Sequence, residues 1–332
     1  MPKSLLDIVK KCDNFPYYAD NPTTHNQYLL NYYAFRVADC AQTLGHVPKS
    51  IVEAFDFAST GWAVNHEKQE LTLGQNVNND KSTKERLTEL MSTTLRQMTS
   101  MQQSHPLFAK LAQSWRNETF PITTTDANGS KPTLLEIERG ASAIFGIPTS
   151  GVQVTCYIIH PTRGLLLWIG RRSRNKQTYP GMLDNTAAGG LETELAVCPR
   201  EAAIREAVQE ASLDEGFVRG NLEGGGAISY YHVKPFRHGD EETGLLQPEI
   251  EYVYGLELPL DMIPVPGDGE VEGFYLWTVD EVLQALKAGE CKLNSAVAVI
   301  DFLVRRGVIT AENERDYGEI VSRLHRRLEI GG

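Results

Sequence analysis

Paired cysteines are missing from this chain. Its five cysteines, Cys12, Cys40, Cys156, Cys198 and Cys291, are scattered and odd in number, and no CxxC pair occurs. That pattern argues against a disulfide framework or a zinc site and makes a reducing compartment the default. Long apolar runs are absent too, and no stretch reaches the roughly 18 apolar residues of a membrane helix. The opening MPKSLLDIVKKCDNFPYY has no uninterrupted apolar signal core, and Asp7 and Asp13 argue against a transit peptide. These absences lead us to expect a cytoplasmic protein, with the nucleus as an option. Basic charge is also in deficit, with 32 Lys and Arg against 43 Asp and Glu, a net charge of −11. This balance argues against nucleic-acid and membrane partners, since neither phosphate backbones nor anionic headgroups attract an acidic surface. A local basic pocket for one phosphorylated ligand remains compatible with it. There is no internal repeat and no low-complexity tract.

The composition, 41% hydrophobic and 23% charged over 332 residues, is that of a globular chain long enough for two domains. The first third reads as mostly helical. Leu87, Leu90, Met91, Leu95 and Met98 recur at helical spacing and predict a core-facing stripe. The polar stretch from Asn65 to Lys84 reads as a loop or irregular hairpin. From Trp115 to Thr125 the pattern turns β-rich, and a short helix is expected near Leu134 to Ile144. Val154, Cys156 and Ile158, then Leu165 to Ile169, predict two strands around a turn at Pro161–Gly164. Further strands are expected at Ala227–Val233, Ile250–Leu258 and Val271–Trp277, with a helix at Pro199–Leu213. Two or three helices close the chain, one carrying Val297, Ile300 and Val304 and the last carrying Ile320, Leu324 and Leu328. The fold class is therefore α/β, a mixed sheet covered on both faces, preceded by a smaller, mostly helical α+β domain. The boundary is placed near residue 120, giving domains 1–120 and 121–332.

The chemistry concentrates in AAGGLETELAVCPREAAIREAVQEASL, residues 187–213. Pro199 suits a first helical position. Ala203, Ala207 and Ala211 form a small-residue line for close packing on a sheet. Glu206, Gln209 and Glu210 meet on another face, because residues three and four apart are neighbours. Two carboxylates on adjacent turns repel unless a cation lies between them, and hard oxygen ligands suit magnesium or manganese. Arg205 could orient a neighbouring carboxylate, and Gly189–Gly190 could bring bare backbone carbonyls to the same ion. A solvated charged helix face is the competing reading.

Arg171, Arg172, Arg174 and Lys176 form a basic cluster suited to gripping phosphate oxygens, or alternatively a charged hairpin exposed to water. Tyr179 could stack on a heteroaromatic ring, whereas Trp168 and Trp277 read as core and Asp184-Asn185 as possible turn-formers. Activating a water nucleophile needs a base or a metal. Glu249 and Glu251 alternate along one strand, as do Glu270 and Glu272, so each pair offers candidates. His160, His232 and His238 lack metal-like spacing and read as structural.

The string from Gly190 to Leu213 resembles the Nudix box, whose pattern is Gly, five residues, Glu, seven residues, then Arg-Glu-apolar-x-Glu-Glu-x-Gly-apolar. Arg205, Glu206, Ala207, Glu210 and Leu213 fill matching positions. Gln209 replaces a Glu, Ser212 replaces the Gly, and Val197 stands where the earlier Glu would be, with Glu192 or Glu194 as substitutes. The resemblance implies that Glu206 and Glu210 bind Mg2+ or Mn2+, with the Gly190 or Gly189 carbonyl as a third ligand. Glu210, Glu206, Arg205, Glu251 and Glu272 become the catalytic candidates; Arg171, Arg172, Lys176 and Tyr179 become the substrate-binding ones. The segments LLDIVKKCDNFPY, SWRNETFPI, RRSRNKQTYPGMLDNTAAGGL and VPGDGEVEGFYLW are similar to one Nudix branch, related to the Nudix portion of fungal thiamin pyrophosphokinase fusions. This resemblance implies a Nudix α/β/α sandwich and hydrolysis of a small-molecule diphosphate to a monophosphate and phosphate, with oxidised thiamin diphosphates as the leading substrate class. An oxidised nucleoside diphosphate such as 8-oxo-dGDP is the alternative substrate, a non-catalytic binding module the alternative function, and a homodimer is compatible with either.

Overall fold

The computed structural model describes residues 3–74, 83–126, 128–193, 198–235, 242–328 and 330. Four hydrophobic clusters organise these residues, the first in the N-terminal body and the second around α1 and the C-terminal helices. The first body contains α2 (Pro22–Leu29), following α1 (Leu5–Cys12), then β1 (Tyr32–Val37), β2 (Gly45–Pro48), α3 (Lys49–Ala54), β3 (Trp62–Asn65) and β4 (Glu70–Leu73). It continues through α4 (Thr83–Ser100), α5 (Pro106–Ser114), β5 (Thr119–Thr123), β6 (Thr133–Glu138) and α6 (Ser142–Phe145). The four short strands form a sheet in the order β2-β1-β4-β3, in which β1 and β4 run parallel. Phe35, Phe57, Trp62 and Phe145 meet in its core, and the Trp62 indole N–H donates to Thr94 Oγ1 at 2.8 Å. Leu87, Met91, Leu95 and Met98 of α4 are buried there at the expected helical spacing.

The first third is mostly helical, as expected, and β3 and β4 form a hairpin across the stretch read as a loop or irregular hairpin. Its strands are only four to six residues long, too short to show a period. One sequence expectation is revised. The helix expected near Leu134–Ile144 is strand β6 followed by short helical turns, because Leu135 and Ile137 alternate inward and pair with Ile122 and Phe120 of β5. The first core runs past residue 120 to Ile147, and α1 packs into the second.

The second body begins with β7 (Thr149–His160) and β8 (Gly164–Arg172), then β9 (Leu183–Asp184) and β10 (Ala187–Gly190). After α7 (Pro199–Ala211) and α8 (Glu215–Asn221) come β11 (Glu223–Val233), β12 (Leu246–Glu257) and β13 (Val271–Thr278). Helices α9 (Val279–Ala288), α10 (Leu293–Arg305) and α11 (Tyr317–Leu324) close it. The sheet runs β11-β12-β7-β8-β13, with β10 paired to β7 and β9 to β8. Only the β12–β7 contact on that path is parallel, so the sheet is mixed. Alternating side chains serve two faces. Val152, Val154 and Cys156 pack with α7, while Tyr157 and Val253 pack with α1, α9 and α10. Leu328, expected on the last helix, lies beyond the end of α11. Among the described residues no helix is long and apolar enough to cross a membrane.

The two chain ends meet at a buried ion pair. Asp13, at the end of α1, accepts from Arg326 Nη1 at 3.0 Å and from the Tyr231 backbone N–H at 3.1 Å. Arg326 also donates to the Phe15 and Pro16 carbonyls at 2.6 and 3.0 Å and lies over the Tyr17 ring at 3.9 Å. Removing one member of such a pair strands the other charge away from water. Asp13→Asn is therefore expected to lower unfolding free energy by about 3–5 kcal/mol in urea titrations. A loss below roughly 1 kcal/mol, the worth of a surface pair, would show that this contact does not hold the ends together.

Candidate active site

Helix α7 begins at Pro199 and ends with Ser212 in the left-handed conformation, φ 51°, the usual place of a helix-terminating glycine. Ala202, Ala203, Ala207 and Ala211 are buried and let the helix lie close to the sheet. Its acidic residues then divide: Glu210 is buried, Glu206 is largely so, and Gln209 is exposed.

Strand β10 receives both inward glutamates. The Ala188 N–H donates to Glu210 Oε2 at 2.9 Å. A methyl group on Gly189 would fall 2.3 Å from Cδ of Glu206, so this approach requires glycine. A methyl group on Gly151, paired with Gly190 on neighbouring β7, would fall 2.6 Å from Glu251 Oε2 and 3.0 Å from the Gly189 carbonyl oxygen. Glu206 and Glu210 of α7 thus meet β10, while Glu251 of β12 lies against Gly151 on the row that pairs with Gly190 and faces α10. The carbonyl placed beside an acid is that of Gly189, whereas Gly190 faces the Phe120 ring and the Arg139 guanidinium, 3.0 and 3.5 Å from its Cβ position.

These acids are held where their charged forms are disfavoured. Burial, then the charge of Asp184, push Glu210 above the usual carboxylate range, against the Ala188 hydrogen bond. Burial raises Glu206, and Arg205, 3.2 Å away, opposes it. Burial and neighbouring Glu249 raise Glu251. Its Oε1 accepts from Asn294 Nδ2 at 3.0 Å and from the Tyr230 hydroxyl at 3.4 Å, but its buried Oε2 has no hydrogen-bond partner among the described residues. An orphaned buried carboxylate oxygen is costly unless a cation or a ligand answers it. Oxygen atoms of Glu210, Asp268 and Glu270 also lie within 4.8 Å of one another. This all-oxygen donor set fits a hard divalent cation.

The predicted basic cluster is split by its contacts. Arg172 is buried and donates to Asp184 at 2.6 Å, to the Tyr179 carbonyl at 3.2 Å and to the Thr178 carbonyl at 2.9 Å. It therefore anchors the 173–182 loop. Arg171 donates to the Gly181 carbonyl at 2.9 Å and stacks on Tyr275. Arg174 is exposed and pairs with Glu272 at 3.6 Å, so Glu272 belongs to a surface pair. Lys176 reaches inward to pair with Glu270, close enough to Glu210 and Arg172 for their charges to shift its own. Tyr179 is half-buried at φ 52° and gives its carbonyl to Arg172. Arg205 bridges Glu206 and Glu192, the latter at 3.3 Å. Glu194, Val197 and His238 lie outside the described residues.

Sequence reasoning missed Asp184, Asp268, Asn294 and Arg139. Asp184 is a buried anchor for Arg172, Ser295 and Lys292, not a mere turn-former. Asp268 could have been read beside Glu270 in GDGE; nothing in the local sequence marks Arg139.

The NUDIX domain family profile matches residues 149–294. An uncharacterized protein of Saccharomyces cerevisiae is 38% identical over 223 residues, 65% of this chain and 62% of that one. Chloroplastic Nudix hydrolase 20 of Arabidopsis thaliana is 33% identical over 220 residues, 64% of this chain and 53% of that one. The chain thus spans between half and two thirds of the length of these curated relatives. A crystal structure from Deinococcus radiodurans is similar at 19% identity and a TM-score of 0.37, over 61% of this chain and 98% of that one. The segment that resembles a NUDIX domain, residues 149–294, contains most of the mixed sheet and the helix that bears Glu206 and Glu210.

The contacts of Arg172 generate a test of its role. Arg172→Ala would leave Asp184 buried with less counter-charge and remove two loop anchors. It is expected to lower stability by about 3 kcal/mol and to open residues 173–182 to protease. A normal melting curve with an uncut loop would return Arg172 to the ligand-binding set.

Proposed function

We propose that the chain hydrolyses a diphosphate ester to a monophosphate and inorganic phosphate, using a divalent cation. The observation that carries this reading is the approach of Glu206 and Glu210 to the glycine strand β10, with oxygens of Asp268 and Glu270 beside Glu210. Glu206, Glu210 and the Gly189 carbonyl would hold the cation, with Asp268 and Glu270 beside Glu210. When bound, the ion supplies positive charge against the diphosphate oxygens.

The protein's own groups then divide the remaining work. Glu251 Oε2, whose affinity for protons is raised by burial, is placed to accept a proton from attacking water. Attack at phosphorus forms one P–O bond and breaks the bridging one, and the departing oxygen keeps the electron pair. Lys176 gives the acidic centre a cation that can exchange Glu270 for a phosphate oxygen. Arg205 holds Glu206 in position through its second contact with Glu192. The finer reading, oxidised thiamin diphosphates as substrates, is supported by the likeness of the flanking segments to the thiamin-related Nudix branch.

A released-phosphate screen over thiamin diphosphate, its oxidised forms and nucleoside diphosphates tests the substrate class. Turnover should need added Mg2+ or Mn2+ and cease in chelator. Undiminished rate on metal-free protein would contradict the cation's role. Glu210→Gln and Glu251→Gln should each lower kcat by at least about a hundredfold with little change in melting. Retained rate in either variant would remove that residue from the chemistry. Gly189→Ala, which forces Glu206 aside, should raise the Mg2+ concentration for half-maximal rate by about tenfold. An unshifted magnesium titration would place the ion away from Glu206.

A further inference from the structure

We propose that the cavity between the two bodies is the subsite for the substrate's organic group, and that it takes a flat, uncharged aromatic or heteroaromatic ring carried on a diphosphate. The proposal rests on the diphosphate reading above, and it makes the N-terminal body part of the substrate site. The cavity measures about 400 Å³, with Leu44, Phe120 and Ile122 on one side and Ser150, Ile250 and Tyr252 on the other. That volume lies within the range of small-molecule sites and suits a group of one or two rings. Phe120 and Tyr252 offer ring faces, and Thr123, Thr149 and Ser150 offer hydroxyls to ring heteroatoms.

Sheet register links this cavity to the acids. Residues paired directly across strands point to the same face. Ala227 pairs with Tyr252, Tyr252 with Val152, and Val152 with Gly189, so these four form one row on one face. Ala227 and Tyr252 line the cavity, and Gly189 at the far end of the row lies against Glu206. Tyr252 is two strand spacings from Gly189, about 10 Å, a span that a diphosphate ester can cover. Phe120 lines the cavity and also sits 3.0 Å from the Cβ position of Gly190. The cavity wall is thus continuous with the glycine pair.

Charge selects the ring. The described lining residues include Lys131 and Arg326 and no carboxylate, and Arg326 is already paired with Asp13. A cationic ring would lose water there without gaining a counter-charge, whereas a neutral ring would not.

The test uses 1-naphthyl diphosphate as a fluorescent probe, read by anisotropy with Mg2+ present, on the full chain. Methyl diphosphate and an N-methylquinolinium diphosphate compete against it. Ala227→Phe and the milder Ala227→Leu, on edge strand β11, fill the cavity. The wild type should bind the naphthyl compound at least about tenfold more tightly than either competitor, and the folded variants should lose about tenfold in naphthyl affinity. Naphthyl binding no tighter than methyl binding in the wild type would overturn the proposal, as would unchanged naphthyl binding in a folded variant. Phosphate release from methyl diphosphate by the wild type reports the hydrolase reading separately. If none is released while naphthyl binding still depends on position 227, the cavity assignment stands and the hydrolase reading falls.

Discussion

The site depends on how closely strand β10 can approach helix α7. Only a residue without Cβ fits at Gly189, because Glu206 occupies the space a methyl group would need. The alanines of α7 supply the matching condition from the helix side, since small side chains let its axis come near the sheet. Once the two elements are this close, the Ala188 N–H reaches Glu210, and Gly189 touches Glu206. Gly151 on the next strand removes the last obstruction, and the Glu251 carboxylate enters from β12. Acids distant in sequence thus flank the glycine strands from two sides, and burial makes each of them a poor carrier of unbalanced charge. A site built this way favours a cation with an anionic ligand over either empty water or a lone side chain.

A second constraint ties the remainder of the chain to that centre. Helix α1 packs among α9, α10 and α11, although it comes first in sequence. Asp13 at its end is bound by Arg326 near the other terminus, so the two ends close around β11 and β12. The first core reaches Ile147, two residues before the segment that resembles a NUDIX domain begins, and strand β5 with Arg139 abuts the glycine pair. The N-terminal body is therefore joined to the site by contact as well as by peptide bond. Its Phe120 and Ile122 form one wall of the cavity whose other wall is the mixed sheet of the second body.

Legibility in the sequence followed the length of each pattern. Helix α7, the β7–β8 hairpin, β11, β12 and β13 were readable because apolar residues recur there over eight residues or more. The strands β1, β2 and β6 were not, because four to six residues give too few periods. Within the site, the glutamates of α7 could be grouped from helical spacing alone. The fate of the arginines could not. Arg171, Arg172 and Arg174 sit within four residues of one another, yet one is stacked, one buried and one exposed.

What the sequence determined by itself was the chemistry available on each element: paired carboxylates on one helix, two glycines on a strand, and a net charge of −11. These follow from side-chain identity and from local periodicity, which need no knowledge of distant contacts. Tertiary structure alone decided which groups meet. It brought Glu251 to Gly151, turned Arg172 inward onto Asp184, and set Phe120 against Gly190. Such pairings depend on strand register and close packing between residues 12, 70 and 100 apart in sequence, where burial and steric fit, rather than local preference, select the arrangement.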